Sequence, residues 1–199
     1  STSSSIKDYG LDWSHFNILS SLFGAEGIEA DPDKAIFSNV SIDTKVGGIA
    51  IKVPVIIAAL GSTTVASENW RPLAIGAALS GTILTIGENV AVMDMNAIFR
   101  EGKVVESPDI RSRVEMFREY YDGRYGGIMV QTNVEDQRAG VDEYVLSKLE
   151  VTGIERKWGQ GAKAIGGEVR IMSLEEALTL KRKGYIVIPD PEDLSLIHI

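Results

Sequence analysis

The chain has 199 residues, of which 44% are hydrophobic and 24% are charged, and its 28 acidic against 20 basic residues give a net charge of −8. This composition is typical of a globular protein with one sizeable core and excludes a chain that is mostly disordered. The acidic balance argues against binding to a nucleic-acid backbone, and the absence of cysteine excludes disulfides, thiolate zinc sites, a cysteine nucleophile and any iron–sulfur cluster held by this chain alone.

The first 35 residues show no regular apolar pattern, and we expect residues 1–35 to form an irregular N-terminal segment. Their polar start, Ser1–Ser5, lacks the basic and apolar blocks of a signal peptide. No apolar run approaches the roughly 20 residues that a membrane helix needs. We therefore expect a cytoplasmic protein without membrane contact, in which residues 36–199 form one domain. Two histidines are too few for a histidine-rich metal site.

Residues 36–60 predict two pieces of β-structure. Apolar residues alternate on both sides of Gly47-Gly48, and this pair supplies the positive φ of a tight turn, so a β-hairpin is expected over residues 36–53. The run 54–60 is almost entirely apolar, which is typical of a strand covered on both faces in a parallel sheet.

Further along the chain, helices alternate with short apolar runs. Because Pro72 suits the first turn of a helix, we expect the next helix to begin near Asn69. Ser107-Pro108 predicts the start of another helix, since serine is a good cap and proline fits the first helical position. Residues 89–106 show no clear periodicity. The remaining predicted elements are strands over residues 82–86, 126–131, 153–158 and 185–188, a helix over residues 142–149, and a helix opened by a capping box at residues 173–176.

This alternation indicates a parallel α/β sheet of four or five strands, fewer than a full eightfold barrel, which usually takes about 250 residues. In such a sheet the carboxyl ends of the strands share one edge, and sites form there. Three segments that follow predicted strands are therefore candidates for a site: residues 58–67, 85–89 and 157–168.

The third segment, KWGQGAKAIGGE, has the strongest chemical character. Its glycines let the backbone approach a ligand closely. Gln160 can donate and accept hydrogen bonds, and Lys163 supplies a fixed positive charge, which beside the N1–C2=O edge of a flavin would stabilise the reduced ring. A mobile anion-binding loop accounts for the same residues equally well. The segment matches neither the GxGxxG nor the GxxxxGK[ST] pattern of nucleotide-binding loops.

The other two segments offer a loop of small residues and an acid. Residues 58–67 would let a flat ring lie on the backbone, although turns favour glycine and serine in any case. Glu88 could bind an amine or orient a substrate, although most glutamates lie on the surface. Gln131 and Asn133 come at the end of the strand over 126–131 and could bond the edge of a heterocycle, or they are half-buried loop residues.

Taken in order, the segments PVIIAALGSTTVAS, GTILTIGEN, GGIMVQTNVEDQRAGVDEYV and KWGQGAKAIGGEV resemble the FMN-binding synthase domain of glutamate synthase, in its archaeal-type, stand-alone form. The similarity extends from about residue 37 to residue 192, and QGAK followed by a glycine pair is its most specific part. The resemblance implies a partial (β/α)8 TIM-type barrel, preceded by a β-hairpin and the irregular N-terminal segment, with the C-terminal half of the barrel missing.

The activity that the resemblance implies is the FMN-dependent formation of L-glutamate. Ammonia released from glutamine by an amidotransferase (glutaminase) subunit condenses with 2-oxoglutarate, and reduced FMN passes a hydride to the 2-iminoglutarate. Electrons would come through a donor subunit, because this chain has no cysteine ligands for the family's three-iron cluster. A homo- or hetero-oligomer is expected. The FMN phosphate would be held outside this chain, by loops after the later strands of the barrel.

The resemblance also implies roles for single residues. Glu88 and Lys163 would be catalytic, and Gln160, Lys163 and Glu168 would contact the substrate. The residues implied to contact FMN are Ala59, Leu60, Gly61, Ser62, Glu88, Gln160 and Lys163, and the position of Gln131 and Asn133 after a strand adds them to this set.

Some positions depart from the family pattern. Where the family has TGEGG, residues 86–90 read IGENV, and Glu168 stands where a glutamine is usual. A carboxylate facing a dicarboxylate is repulsive, so the identity of the substrate stays open. Two alternatives also stay open. One is a non-catalytic structural or interaction subunit derived from a barrel. The other is a different FMN barrel, such as a 2-hydroxyacid oxidase, which would need a histidine base that this chain does not place well.

Overall fold

The computed structural model describes residues 10, 15–17, 31, 33–34, 36–158, 171 and 173–193, and these residues form eight strands and six α-helices. The strands are β1 (Thr44–Val46), β2 (Ile49–Ile51), β3 (Ile56–Leu60), β4 (Ile83–Ile86), β5 (Ile98–Arg100), β6 (Lys103–Glu106), β7 (Gly127–Thr132) and β8 (Gly153–Arg156). The helices are α1 (Thr64–Ser80), α2 (Val90–Met93), α3 (Pro108–Arg118), α4 (Val134–Arg138), α5 (Val141–Ser147) and α6 (Leu174–Arg182). Most of the segment expected to be irregular, residues 1–35, lies outside the described residues.

Four strands form one parallel sheet in the order β3-β4-β7-β8, which confirms the predicted mixed α/β class with a parallel sheet. The order follows the chain, so neighbours in the sheet are successive parallel strands. Between β4 and β7 the chain makes α2 and the antiparallel hairpin β5–β6, in the stretch 89–106 where no periodicity was seen. Each of these elements has only three or four residues, too few for a repeating pattern.

The core lies on one face of this sheet. Leu84 and Ile86 of β4 pack there against Trp70 of α1 and Phe117 of α3. Because the side chains of a strand alternate between its two faces, Thr85 points to the other side, which lines the cleft described below. One face of the sheet therefore packs against the helices, and the other face borders the cleft.

The hairpin β1–β2 forms as predicted around Gly47-Gly48, whose φ angles of +55° and +88° lie in the left-handed region that glycine tolerates. It bonds to the amino ends of two strands of the main sheet. The backbone N–H of Lys52 donates to the carbonyl of Gly81 at 2.9 Å, and that of Gly126 donates to the carbonyl of Ala50 at 2.7 Å. The hairpin therefore closes the end of the sheet opposite to the one where sites are expected.

Helix α1 begins at Thr64, so the predicted start near Asn69 is wrong. Thr63 caps the helix through Oγ1, which accepts a backbone N–H at 3.2 Å. Pro72 lies inside the helix on its exposed side. Proline removes the N–H that would bond the carbonyl of Glu68, and Glu68 is itself an exposed residue, so water can take the place of that donor. The helix tolerates the proline because its opposite side is anchored in the core.

Helix α3 begins as predicted. Ser107 is fully buried and accepts the N–H of Ile110 at 3.5 Å, and Pro108 is the first helical residue. The strands expected over residues 82–86, 126–131 and 153–158 and the helix over residues 142–149 also form, with ends shifted by at most two residues. Within the described part of the chain, no helix combines the length and the apolar character that crossing a membrane would require.

Two expectations about strands are wrong. The run 54–60 forms β3, but β3 lies at the edge of the sheet and Ile56 is 51% exposed, so it is not covered on both faces. No strand forms over residues 185–188. Instead, the N–H of Tyr185 donates to the carbonyl of Leu180 at 3.1 Å and closes the end of α6, which turns at Gly184 with φ +93°.

Candidate functional site

A cleft of about 780 Å³ lies at the carboxyl edge of the parallel sheet. Each of the four strands contributes to its wall at or just after its last residues, as expected for parallel strands that end at one edge. Strand β3 and the loop after it supply residues 56–63. The other lining residues are Thr85, Glu88 and Asn89 from β4 and its loop, Gln131 from β7, and Glu155 and Lys157 from β8 and its loop.

The loops after β3 and β4 touch through two glycines. The N–H of Gly87 donates to the carbonyl of Leu60 at 2.7 Å. A Cβ on Gly87 would lie 2.4 Å from the backbone nitrogen of Gly61, and a Cβ on Gly61 would lie 2.8 Å from the carbonyl oxygen of Glu88. No larger residue fits at either position without moving backbone. The small-residue loop and the acidic loop are therefore neighbours, as the sequence predicted.

Glu88 and Lys157 form an ion pair on the cleft wall. Lys157 Nζ donates to Glu88 Oε1 at 2.5 Å, and the two side chains are 23% and 16% exposed, respectively. The backbone N–H of Lys157 donates to the carbonyl of Thr132 at 2.8 Å and continues the pairing of β8 with β7. The pair therefore places one cation and one anion side by side in a partly desolvated position.

A second polar contact lies beside this pair. Gln131 is almost fully buried, and its side-chain Nε2 donates to Glu155 Oε1. This bond fixes the orientation of the amide at the end of β7. With Glu88, Asn89 and Lys157, the lining side chains thus present two carboxylates, two amides and one ammonium group.

Asn133 lies behind the rim of the cleft rather than in its lining. It caps α4, and its Nδ2 donates to Asn89 Oδ1 at 2.7 Å. Asp136 completes the arrangement: its Oδ2 accepts the backbone N–H groups of Asn89 at 2.9 Å and Asn133 at 3.2 Å. Burial raises the pKa of Asp136 to about 6; the two backbone hydrogen bonds oppose the shift, and the charges of Glu88 and Asp142 add to it.

The loop after β3 is held from behind by Arg113 of α3, which is 3% exposed. Its Nη1 donates to the carbonyl of Gly61 at 3.0 Å, and its Nε donates to Asp109 Oδ1 at 2.9 Å. The guanidinium carbon lies 5.2 Å from the centre of the Trp70 ring, a cation–π distance. A buried, multiply bonded arginine of this kind fixes the backbone that forms one wall of the cleft.

The residues that the sequence singled out are brought together in part. Those that line the cleft are Ala59, Leu60, Gly61, Ser62, Glu88 and Gln131. Asn133 braces the rim. The three residues expected to contact substrate, Gln160, Lys163 and Glu168, lie outside the described residues.

Sequence reasoning assigned no role to three residues of this region, although one of them, Lys157, opens the third candidate segment. Lys157 and Glu155 lie on the same side of β8, the side opposite to Ile154, which packs on the core. The period-2 alternation of β8 carries that signal, and it would have pointed both side chains at the cleft. Asp136 gives no comparable signal, because its role depends on loops that meet only in the folded chain.

The cleft can bind a flat, polar-edged molecule. Small residues of the loop after β3 give a smooth wall, and the ion pair and the oriented amide give hydrogen-bonding groups at one side. The ammonium group has three N–H donors, so it can bond a ligand oxygen as well as Glu88. Comparison of the chain with protein-family models, with curated proteins and with solved structures gives no match.

Proposed function

We propose that this chain is the FMN-binding part of a glutamate-synthase-like oxidoreductase. The observation that carries the proposal is the single cleft that joins the loop after β3, Glu88 and Gln131 at one edge of the sheet. The sequence segments that resemble the synthase domain supply these residues, although they lie far apart in the chain. The proposed reaction is the reductive amination of 2-oxoglutarate, or of a related 2-oxo acid, through its imine.

The finer fold, a partial (β/α)8 barrel, belongs to this proposal. The parallel strands follow one another in chain order, which supports winding in one direction; doubly wound sheets reverse their order at a switch point. The core with its helices lies on one face, and the other face borders the cleft, whose lining combines small and apolar residues of β3 with polar side chains of the other strands. This separation suits a curved sheet with helices outside and a site at its carboxyl end.

The residues present fit the ring of FMN. The volume of the cleft, about 780 Å³, falls within the roughly 300–1,000 Å³ of small-molecule sites. The side chains of Ala58, Ala59 and Ser62 are small, and Gly61 has none, so a flat ring can lie against this wall. The oriented amide of Gln131 and the ammonium group of Lys157 suit the polar edge of a flavin.

When bound, reduced FMN would supply the hydride that converts the imine into an amino acid. Lys157 would hold a negatively charged oxygen of the ligand beside the cleft wall. Glu88, which already accepts a hydrogen bond from Lys157, would accept an N–H of ammonia or of the imine. The roles of Gln160, Lys163 and Glu168 enter the proposal through the sequence resemblance. So do an amidotransferase subunit and an electron-donor subunit.

An optical titration of the full chain with FMN tests the binding part of the proposal. We expect quenched flavin fluorescence and shifted absorption bands. Gln131→Leu should weaken FMN binding about tenfold, because it removes an oriented amide from the cleft. The matched control is Gln137→Leu on α4, since the buried Nε2 of Gln137 has no hydrogen-bond partner in the described part of the chain and the residue does not line the cleft. Unchanged flavin spectra at millimolar FMN would reject the proposal.

A second experiment tests the reaction. The FMN-loaded protein is photoreduced without oxygen and mixed with ammonium and a panel of 2-oxo acids. Oxidation of the flavin together with a new amino acid, detected by mass spectrometry, is the expected result. The panel also determines the substrate that Glu168 left open. Oxidation without an amino-acid product would contradict reductive amination while leaving flavin binding in place.

A non-catalytic interaction module is the second candidate. An apolar groove of about 490 Å³, lined by residues such as Leu60, Val65 and Leu73, runs between the edge strand β3 and α1. Val65 is itself 69% exposed. Exposed strand edges and apolar grooves favour association. A chain that stays monomeric in light scattering at all concentrations and captures no partner would speak against this reading.

A further inference from the structure

Three residues form what we call the rim latch: Asn89, Asn133 and Asp136. Asp136 Oδ2 accepts the backbone N–H of Asn89 and that of Asn133, and Asn133 Nδ2 donates to Asn89 Oδ1 at 2.7 Å. One asparagine follows Glu88 directly, and the other follows the last residue of β7. The latch thus joins the loops that follow two neighbouring strands, directly behind the cleft.

The latch stabilises a backbone conformation of Asn89 that residues other than glycine seldom adopt. Asn89 has φ +68°, in the left-handed region that is uncommon for residues other than glycine. In the related pattern TGEGG, glycine would stand at this position. Here an asparagine takes the same conformation and is held by two of the latch bonds. The direction of the Glu88 side chain therefore depends on the bond between Asn89 and Asp136.

The carboxyl group of Asp136 lies in a setting that disfavours its charge. Asp136 is 1% exposed, and its Oδ1 has no hydrogen-bond partner among the residues that the structure describes. The titratable groups that act on it or feel its charge are Glu88, Asp142 and Tyr185. Asp142 is paired with Arg156 at 2.9 Å. Burial raises the pKa of Tyr185 to about 12, so its hydroxyl stays neutral near pH 7.

We propose that Asp136 is a positioning residue of the cleft: it holds Glu88 through the rim latch, and the latch is tighter when its carboxyl group is protonated. This rests on the proposed function, because it assumes that the cleft binds a flavin. The direction follows from linkage, with an open latch defined as one in which water reaches the Asp136 carboxyl group. The two backbone hydrogen bonds of the closed latch favour the carboxylate, but the burial of the group outweighs them, so the closed latch binds the proton more strongly than the open one. Loss of the proton therefore makes opening easier. The pKa of about 6 places that change between pH 5 and pH 7.5.

Hydrogen exchange of the ligand-free protein tests the latch itself. We expect Asp136→Ala to lower the protection factors of the Asn89 and Asn133 amides. In the wild-type protein, protection of these amides should fall between pH 5 and pH 7.5. Asp136→Asn, which keeps an acceptor oxygen, should preserve most of the protection and make it independent of pH over this range. The matched control is Glu135→Ala, which removes an exposed carboxylate from the same helix. Wild-type protection that does not fall over this range, or that does not depend on Asp136, overturns the proposal.

Binding of riboflavin tests the consequence for the cleft. Riboflavin has no phosphate, so its charge stays constant over this pH range. The wild-type protein should bind it several-fold more tightly at pH 5 than at pH 7.5, with a ceiling of about a hundredfold set by a shift of about two pH units. The Asp136→Asn protein should bind it equally at both, and Asp136→Ala about tenfold more weakly at pH 5.

The two experiments separate the failures. Amides that respond as expected, in a protein that binds neither riboflavin nor FMN, would confirm the latch and reject the flavin site. Riboflavin binding that ignores pH and Asp136, in a protein whose amides respond, would leave the flavin site standing and overturn the positioning role.

Discussion

Lys157 Nζ lies 2.5 Å from Glu88 Oε1, and this contact ties the end of β8 to the loop after β4 across the intervening strand β7. Sixty-nine positions separate the two residues in the chain. The bond can form only if β4, β7 and β8 end at the same level, so it depends on the correct alignment of these strands at the carboxyl edge of the sheet. It also sets the charge of the cleft wall, where a lone carboxylate would repel an anionic ligand.

Replacing Lys157 with methionine should weaken both the fold and flavin binding. Glu88 would keep its partly buried charge but lose the bond to Lys157. We expect this loss to lower the unfolding free energy by about 2 kcal/mol, a value between those for losing an exposed and a buried ion pair. Urea denaturation measures this loss, and an FMN titration should show binding weakened about tenfold or more. Lys148→Met is the control, because Lys148 is exposed on another surface. Equal effects of the two substitutions would contradict a special role for Lys157.

Gly87→Ala should destabilise the protein by about 3 kcal/mol or more, because its Cβ would meet backbone atoms of Gly61 and Leu60 at 2.4 to 2.6 Å. Backbone cannot move away as a flexible side chain can. Gly76→Ala is the opposite case: Gly76 lies in α1 with nothing within 4 Å of a built Cβ. This change should stabilise by roughly 0.5–1 kcal/mol, through helix propensity. Thermal unfolding measures the stability of both variants. A Gly87→Ala protein as stable as the wild type would contradict the tight contact between the two loops.

Arg113→Met should cost about 3 kcal/mol of unfolding free energy. It removes a buried cation that bonds Gly61 and Asp109 and leaves the half-buried carbonyl of Gly61 without this donor. Arg111→Met, two positions away on the same helix, removes a pair with Glu106 in which both side chains are about a third exposed. That loss should stay within about 1 kcal/mol. Chemical denaturation measures the unfolding free energy of both variants. If Arg113→Met lowers it no more than Arg111→Met does, Arg113 does not support the cleft wall.

Stability should depend on pH through Asp136. Its pKa rises from 3.8 in a solvated chain to about 6 in the fold, so between these values the folded chain keeps a proton that the unfolded chain has released. The stabilisation is complete below pH 3.8 and is lost as pH rises through about 6, a total of roughly 3 kcal/mol. The difference between wild-type protein and Asp136→Asn, measured by urea denaturation from pH 4 to pH 7, isolates this contribution. A constant difference over that range would mean that Asp136 ionises normally.

Much of the fold was predictable because local signals and the final packing agree. Ser107 with Pro108 starts α3, and the apolar runs that became β4 and β7 are short and bounded by glycines. The helix start near Asn69 failed because the exposed side of α1 tolerates Pro72, a fact about solvent access that the sequence does not state. The apolar residues at 186 and 188 suggested a strand, yet a strand needs a partner.

The candidate site was predictable only at the level of strand ends. Glu88 and Gly61 could be placed together, since each follows a strand of a parallel sheet. The partner of Glu88 could not be assigned, because the choice of Lys157 depends on how far β8 extends beside β7. Asp136 was also out of reach: nothing in the sequence shows that an acid on a short helix will be buried behind another loop.

The hairpin β1–β2 bonds to the amino ends of β4 and β7, so the two ends of the sheet differ in structure. The amino end of the sheet is occupied by this hairpin, whereas the cleft lies at the carboxyl end. Substitutions at Ala50 or Lys52 should therefore change the stability of the sheet without altering the residues that line the cleft. Stability and ligand binding can thus vary independently at the two ends of the sheet.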